Sequence, residues 1–461
     1  MNAFDEPLEE SLDESVDEAI DHGAADRCAL EGAAAFALQA AHRHGADKAA
    51  VALARTRTLR VQLRGGELEK IEHVVRSVLV ASVIKQRRHG RCKIASLRDT
   101  DIADGLRNAC AIADFADPDP WIDLPDAALH PTRFEDLDIW HPSSDGAAAA
   151  ARKLARWSPL GSRGSARSRL TALFSESQSC SSVLATSAGF LGFEAATLHA
   201  VGGEWIARRG HEAQRAADLR HFRRPLAATA VADLVADLSR TAESLLGARP
   251  IATGRCRVLL APRVAAWLMQ AAFSALFGSA HLRGLTFLRD CVNQRVFAPG
   301  TSIVDDAHER GGLGSTNFDN EGVATGRTRI VEDGCVRTLL LDGYSARRLG
   351  LRSTGHAGGV HNVLLEGAIP ESALAAALDT GLWVERIHGS APNPVTGDFS
   401  VAATGHWVEG GRVRHAVTGV AIAGNLRQLL PQLRVLGTCP IRRPKISVGA
   451  ILLPGLMVAG R

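Results

Sequence analysis

Aromatic side chains are scarce in this sequence. Only 5% of its 461 residues are Phe, Trp or Tyr, and there is one tyrosine. Proteins that bind single-stranded nucleic acid use aromatic side chains on which the bases stack. We therefore predict no nucleic-acid partner, and we interpret the basic stretch 152–169 as a solvated loop.

The sequence also lacks closely spaced cysteines and a basic N-terminal segment. Its eight cysteines are scattered and form no C-x-x-C motif, which is typical of a reduced cytosolic protein. Met1–Asp21 contains nine carboxylates and no Lys or Arg, unlike an export signal. We predict a cytoplasmic protein with a disordered acidic tail over residues 1–25. The net charge is +3, so the rest of the chain carries about +12.

No apolar run reaches the length of about 20 residues that a membrane-spanning helix normally needs. The strongest candidate is Ala261–Gly278, in which only Arg263, Gln270 and Ser274 are polar. Pro262 suits the first turn of a helix. About 17 residues are marginal for a bilayer, and a helix that is apolar on every side is normally buried in a large core. We predict a buried helix and no membrane partner.

The pattern of helices and strands indicates an α+β protein. Residues 26–120 read as an N-terminal α/β domain with a helix, antiparallel strands and a second helix. Residues 121–245 form a middle α/β domain and residues 246–461 a β-rich domain. We place the main boundary near residues 230–250. The dipeptide His211-Glu212 is not a zinc-protease helix, because Arg215 stands where the second histidine would be; we predict a surface strand and loop there.

Three glycine-rich stretches in the C-terminal half contain most of the candidate functional residues: 302–322, 351–367 and 389–405. Gly, Asn and Asp are also the residues that tight β turns require, so turns are the favoured interpretation. His356 and His361 with a carboxylate are an alternative metal site. Two histidines on a glycine-rich loop have no fixed geometry, and we assign them no metal.

The ordered motifs of the chain are similar to those of the TldD/PmbA family, specifically its PmbA (TldE) branch. The resemblance spans roughly Asp26 to Arg461. The motifs that carry it are Leu63–Glu69, Asp319–Gly322, Tyr344–Ala346, Ser353–Gly359, Thr396–Ser400, Ile422–Asn425 and Leu456–Gly460. The resemblance implies a C-terminal antiparallel, barrel-like β domain and a role in heterodimeric metalloproteases that digest unfolded or leader peptides.

In the TldD branch of this family a helix carries His-Glu-x-x-x-His, and a cysteine near the C-terminus completes a zinc site. The resemblance places Met269, Gln270 and Ser274 at the corresponding positions of the chain. A thioether, an amide and a hydroxyl cannot replace two imidazoles and a general base. Cys439 lies near the position of the ligand cysteine. We therefore predict no catalytic, cofactor-binding or metal residue in this chain, and zinc in a TldD-like partner.

Three functions follow from these observations. The favoured one is the non-catalytic subunit of a TldD/TldE-type heterodimer that acts on unfolded or leader peptides, inactive when alone. The second is a stand-alone hydrolase with a metal site outside the family motif, formed by His356, His361 and Asp398. The third is a stand-alone peptide-binding or regulatory protein, which the family's links to toxin–antitoxin and gyrase-related proteins suggest.

Overall fold

The computed structural model describes residues 22–158, 168–439 and 441–460. Most of the acidic segment 1–25 and residues 159–167 of the basic stretch lie outside the described residues. The chain packs as two compact units. The first unit contains the chain up to Pro118 together with Ile139–Glu243, and the second contains Asp119–Asp138 and Ser244–Arg461.

The first unit is built on a six-stranded antiparallel sheet with strand order β3-β2-β1-β4-β5-β6. Strands and helices contributed by residues 26–120 and by residues 121–245 both belong to it. The strands are β1 (Lys48–Arg64), β2 (Glu67–Lys85), β3 (Arg88–Ile94), β4 (Ser168–Thr186), β5 (Leu191–Arg209) and β6 (Glu212–Phe222). The helices are α1 (His22–Arg43), α2 (Asp99–Phe115), α3 (Ala147–Trp157) and α4 (Ala228–Ser244).

Small apolar residues allow α1 and α2 to pack closely on this sheet. Ala34, Ala37 and Ala41 of α1 are fully buried and share a core with Ile102 and Leu106 of α2. The prediction for His211-Glu212 is confirmed. Gly210 and His211 form the turn between β5 and β6, and Glu212 is the first residue of β6, so no helix presents this pair.

The second unit contains a closed five-stranded β-barrel. Its strands follow the order β14-β13-β12-β7-β17, and pairing of β14 with β17 closes the ring. They are β7 (Gly254–Leu260), β12 (Gly381–His388), β13 (Asp398–Glu409), β14 (Arg412–Asn425) and β17 (Ile451–Ala459), and the short β15 (Arg434–Val435) extends β17. The predicted barrel-like domain and the α+β class are confirmed. One pair departs from the antiparallel expectation, because β7 and β12 run parallel.

A five-stranded mixed sheet with the order β10-β9-β8-β11-β16 lies in the same unit. These strands are β8 (Ile303–Asp306), β9 (Arg327–Glu332), β10 (Cys335–Val336), β11 (Asn362–Leu365) and β16 (Lys445–Val448). The helices of the unit are α5 (Pro262–Ser274), α6 (Gly278–Leu282), α7 (Gly343–Leu349), α8 (Glu371–Leu378) and α9 (Leu426–Leu429). One apolar core contains α5 residues together with residues of the barrel and of this sheet. The predicted buried helix is therefore α5, shorter than expected.

The segment Asp119–Asp138, which we call the strap, packs with the second unit although the chain on both sides of it belongs to the first. His130 Nδ1 lies 2.7 Å from the Gly322 carbonyl oxygen. The Glu135 N–H donates to Asn317 Oδ1 over 2.8 Å. The Tyr344 hydroxyl of α7 donates to Asp119 Oδ2 over 2.9 Å. The strap thus holds loops that belong to the most polar part of the second unit.

In the part of the chain that the structure describes, helices are either too short or too polar to span a bilayer. All eight cysteines are described, and each is a free thiol.

Candidate functional site

Three segments of the second unit bring a carboxylate and two imidazoles together. Asp305 is on β8, where Ile303 and Asp305 face the interior and are both fully buried. His361 directly precedes β11, which pairs with β8 through Val363 and Asp305. His356 is in the glycine-rich loop after α7 and is also buried. We refer to Asp305, His356 and His361 as the Asp–His cluster.

The Asp305 carboxylate accepts hydrogen bonds from the loop that carries both histidines. Its Oδ1 accepts from the backbone N–H groups of His361 and Asn362 over 3.0 and 2.7 Å. Its Oδ2 lies 2.9 Å from the backbone nitrogen and 2.9 Å from the Nδ1 of His361. His356 Nε2 lies 3.2 Å from the same oxygen. One buried carboxylate therefore fixes the backbone and the side chains of this loop.

Two neighbours orient the His356 ring. Its Nδ1 lies 2.9 Å from Thr354 Oγ1, which in turn accepts from the Leu341 N–H over 2.8 Å. The ring centroids of His356 and His361 are 5.3 Å apart, with planes inclined by 55°. The two rings are therefore tilted rather than stacked, and a nitrogen of each lies close to Asp305 Oδ2. The side chain of His361 retains 9% exposure, while that of His356 retains 1%.

Asp305 is ionised in this environment. Burial alone would raise the pKa of its carboxyl, but the hydrogen bonds from His356, His361 and the backbone outweigh that effect. The pKa of Asp305 is consequently held well below its usual range. A carboxylate in a nearly solvent-free pocket is tolerated only because donors surround it.

Two further acidic residues lie in the adjacent loop. Asp319 accepts from the backbone N–H groups of Glu321, Val323 and Ala357. Burial nevertheless raises the pKa of Asp319 above its usual range. Burial also raises the pKa of Glu321 to about 7, although the Gly343 N–H donates to its Oε2 over 2.7 Å. The surroundings of the Asp–His cluster are therefore poor in solvent and rich in backbone donors.

Glycine is required at two positions beside His361. A Cβ on Gly314 would lie 2.2 Å from the His361 carbonyl oxygen, and the Gly314 N–H donates to Asn362 Oδ1. Gly358 has a φ of +115°, and a Cβ there would meet the side chain of Asn320 at 2.5 Å. At Gly314 two loops approach each other at backbone distance, and at Gly358 the positive φ favours glycine.

Comparison with known proteins assigns the chain to a family. Residues 253–460 match the model of the PmbA/TldA metallopeptidase C-terminal domain. The protein named metalloprotease PmbA from Escherichia coli O157:H7 is 32% identical over 445 residues, which cover 95% of this chain and 97% of that protein. The chain belongs to the PmbA/TldD family. A PmbA homologue from Haemophilus influenzae is 29% identical, with 94% and 96% of the two chains covered.

Solved structures of PmbA/TldD-like proteins share the fold at lower sequence identity. TldE from Thermococcus kodakarensis superposes with a TM-score of 0.81 at 20% identity, covering 94% of this chain and all of that chain (100%). A protein from Bacteroides thetaiotaomicron whose name refers to modulation of DNA gyrase gives a TM-score of 0.85 at 20% identity, covering 94% and 99%. The relatives named as metalloproteases support a proteolytic role at the level of the family.

Helix α5 carries Met269, Gln270 and Ser274, the positions at which we expect the zinc motif of the TldD branch to align. Met269 is fully buried in the core, whereas Gln270 is exposed. The Ser274 hydroxyl donates to the Gln270 carbonyl oxygen over 2.8 Å, as serines within helices often do. These side chains therefore pack, face solvent or bond to their own helix. None of the three offers an imidazole or a carboxylate.

Cys439 is not part of a ligand cluster among the described residues. Its backbone N–H donates to Glu366 Oε2, and its thiol lies 3.5 Å from the Ile441 carbonyl oxygen. Burial raises the pKa of this thiol, which favours the neutral form over the thiolate that binds metal.

The sequence singled out the right loop but the wrong carboxylate. The hypothesis of a non-family site joined His356 and His361 to Asp398. In the structure Asp398 lies at the start of β13, where its Oδ1 accepts from Asn425 Nδ2 and its backbone N–H donates to Thr396 Oγ1. The carboxylate that joins the histidines is Asp305. The available signal was the alternation of β8, which places Asp305 on the same buried face as Ile303. Pairing of β8 with β11 is a long-range contact that local patterns do not reveal.

Proposed function

We propose that this chain is the non-catalytic subunit of a TldD/TldE-type heterodimeric metalloprotease acting on unfolded or leader peptides. The observation that carries the proposal is the environment of α5. Met269 is sealed in the core, Gln270 is exposed and Ser274 bonds to its own helix. A zinc peptidase needs two or more fixed ligands and a base beside an open coordination position. Helix α5 supplies neither the metal ligands nor the base.

The zinc would then be held by a TldD-like partner, and this chain would complete the chamber and help to admit the peptide. An extended peptide can bind by adding a strand to a sheet, and both units of this chain are rich in strands. Outside Met1–Asp21 the chain carries about +12, which favours acidic peptides. We expect binding of an acidic peptide, measured by fluorescence anisotropy, to weaken as salt rises. The eight free thiols fit a reducing compartment, so we propose the cytoplasm.

The decisive experiment measures cleavage of an unfolded peptide by this chain alone, by the TldD-like protein of the same organism alone, and by their mixture. We expect no cleavage by this chain, and zinc-dependent cleavage that rises when it is added to the partner. Size-exclusion chromatography of the mixture should show a heterodimer. A control mixture with the chain denatured by heat should give the activity of the partner alone. Unchanged activity and separate elution would contradict the proposal.

A stand-alone hydrolase is the second candidate, because the Asp–His cluster contains two imidazoles and a carboxylate. It predicts metal-dependent cleavage by this chain without a partner, and loss of that cleavage in His361→Ala. Binding of a protein target in the absence of any TldD-like subunit would instead favour the regulatory alternative.

A further inference from the structure

We propose that the Asp–His cluster is a binding site for one divalent transition-metal ion, with Zn²⁺ as the reference ion. The ligand atoms would be Asp305 Oδ2, His356 Nε2 and His361 Nδ1. Among residues 22–158, 168–439 and 441–460, no other group of three His, Cys, Asp or Glu side chains has its ligand atoms all within 4.8 Å of one another. This site is separate from the family's zinc motif and does not depend on the function proposed above.

The distances between the ligand atoms suit such an ion after small adjustments. Around a tetrahedral zinc with bonds of about 2.0–2.2 Å, ligand atoms lie about 3.3–3.6 Å apart. In the structure Asp305 Oδ2 lies 3.2 Å from His356 Nε2 and 2.9 Å from His361 Nδ1. For these two pairs the imidazoles need to move outward by only a few tenths of an ångström, and the ligand nitrogens of the two imidazoles lie within 4.8 Å of each other. Two imidazoles and one carboxylate are ligands that both Zn²⁺ and Fe²⁺ accept.

The crowding of Asp305 Oδ2 is the second argument. This oxygen lies within hydrogen-bond distance of three nitrogens: the backbone N and Nδ1 of His361, and Nε2 of His356. A carboxylate oxygen has about two lone-pair directions. A cation between Oδ2 and the two ring nitrogens would satisfy all three atoms at once. The backbone N–H of His361 could then bond to Oδ1, which it already approaches at 3.0 Å.

The neighbours of the ligands are arranged as outer-shell groups of a metal site. A metal-bound imidazole normally donates its other N–H to an oxygen. Thr354 Oγ1 is placed to accept from His356 Nδ1, because its own hydrogen can point to the carbonyl oxygen of Leu339 or Leu341, each 3.4 Å away. In that arrangement the lone pair of His356 Nε2 faces the Asp305 carboxylate, and a proton or a cation must lie between them. The N–H groups of His361 and Asn362 fix the opposite oxygen of Asp305.

Three protein ligands leave one coordination position for water, on the side of His361, which retains slight exposure. The ion would fasten β8 to the loop that precedes β11, and these segments come from distant parts of the chain. The ion would thereby hold the glycine-rich loop against β8.

The test uses the full chain, purified without a partner, stripped with a chelator and reconstituted with Zn²⁺ or Co²⁺. We expect about one ion per chain by elemental analysis, a tetrahedral Co²⁺ absorption spectrum and a higher melting temperature with Zn²⁺. X-ray absorption on the Zn²⁺ form should show two imidazole nitrogens and light oxygen ligands. This readout needs no variant and stands even if substitutions impair folding. Less than a tenth of an equivalent after reconstitution, with no change in melting temperature, would overturn the proposal.

Variants locate the ion. His361→Ala should weaken Co²⁺ binding at least about 100-fold, and Thr354→Val about 10–100-fold, because outer-shell partners affect affinity at that level. His388→Ala removes an exposed imidazole at the end of β12 and should leave affinity unchanged. Retention of the ion by a folded His361→Ala together with its loss from His388→Ala would show surface binding and would overturn the assignment. Because no partner is present, either result leaves the test of the heterodimer unaffected.

Discussion

Helix α5 and the Asp–His cluster, both in the second unit, differ in whether a local sequence motif predicts metal ligands and in whether the structure contains them. Helix α5 is where we expect the zinc motif of the TldD branch to align, and its side chains at those positions are a thioether, an amide and a hydroxyl. The Asp–His cluster has no local motif, yet it gathers two imidazoles and a carboxylate. Helix α5 thus lies in the core without metal-ligating side chains at Met269, Gln270 and Ser274. The Asp–His cluster shows that ligand sets can arise where distant segments meet.

The physical difference is in what surrounds the side chains. Met269 lies in an apolar core with Leu268 and Phe273, an environment that rewards apolar volume. Asp305 lies among backbone N–H groups and imidazoles, an environment that rewards negative charge. A substitution at Met269 should therefore be tolerated when the new side chain is apolar and of similar volume, and one at Asp305 only when the negative charge is kept.

The largest expected effect is at Asp305. Asp305→Ala leaves the N–H groups of His361 and Asn362 and two imidazoles without their acceptor in a buried site. We expect a loss of about 3–5 kcal/mol in the free energy of unfolding, as for other broken buried charge networks. Urea unfolding followed by circular dichroism measures it, with Asp398→Ala, an exposed aspartate, as the control that keeps the wild-type midpoint. A wild-type midpoint for Asp305→Ala would contradict the view that the buried carboxylate of the Asp–His cluster stabilises the fold.

The second effect concerns the introduction of zinc-ligand residues on α5. Met269→His places an imidazole without a partner in the core, and we expect a loss of about 2–4 kcal/mol in thermal or urea unfolding. Met269→Leu conserves volume and should cost less than about 1.5 kcal/mol. The triple variant Met269→His, Gln270→Glu, Ser274→His should gain no zinc at α5. A second tightly bound zinc ion in that variant, beyond the zinc content of Met269→Leu, would show that the helix can turn this face to solvent.

The carboxyl of Glu385 provides a comparison that tests how strongly the hydrogen-bond donors around Asp305 lower the pKa of that carboxyl. Glu385 on β12 is half-buried, and burial raises its pKa to about 7, with Glu371 of α8 adding to the increase and Arg386 opposing it. The folded state therefore binds a proton between about pH 4.5 and 7 that the unfolded chain releases, so stability decreases as pH rises through this range. Glu385→Gln should abolish a decrease of about 1–3 kcal/mol measured by urea unfolding at several pH values.

Glu409→Gln, at the exposed C-terminal end of β13, is the matched control for Glu385→Gln and should leave the pH profile unchanged. If the profile of Glu385→Gln equals that of the wild type, Glu385 is ionised when folded and the two carboxyl environments are alike.

The smallest effect is expected at Gln270, because its side chain is exposed on α5. Gln270→Glu introduces the residue type that we expect at this position in the TldD branch, and it should change the free energy of unfolding by no more than about 0.5 kcal/mol. It should also leave the peptidase activity of the isolated chain at zero. Appearance of activity in this single variant would contradict the view that α5 lacks a site.

The sequence was informative where the physics is local. The apolar composition of 261–278 predicts a buried helix, and α5 is one; alternation and turn residues predict the α+β class. The family motifs predict the barrel, which the structure confirms. The Asp–His cluster was only half visible. His356 and His361 could be named, but Asp305 joins them through pairing of β8 with β11, and that register depends on the whole second unit.

The strap has a consequence for the time course of synthesis. His130 and its acceptor Gly322 are 192 residues apart in the chain. At a translation rate of about 5–20 residues per second, the strap leaves the ribosome roughly 10–40 s before its binding loop exists. During that interval the strap has no binding loop to contact, while the later strands of the first unit, β4 to β6, which follow the strap in the sequence, are synthesised. The second unit can therefore fold completely only near the end of translation. A product truncated before Gly322 would contain a strap without its contacts in the second unit.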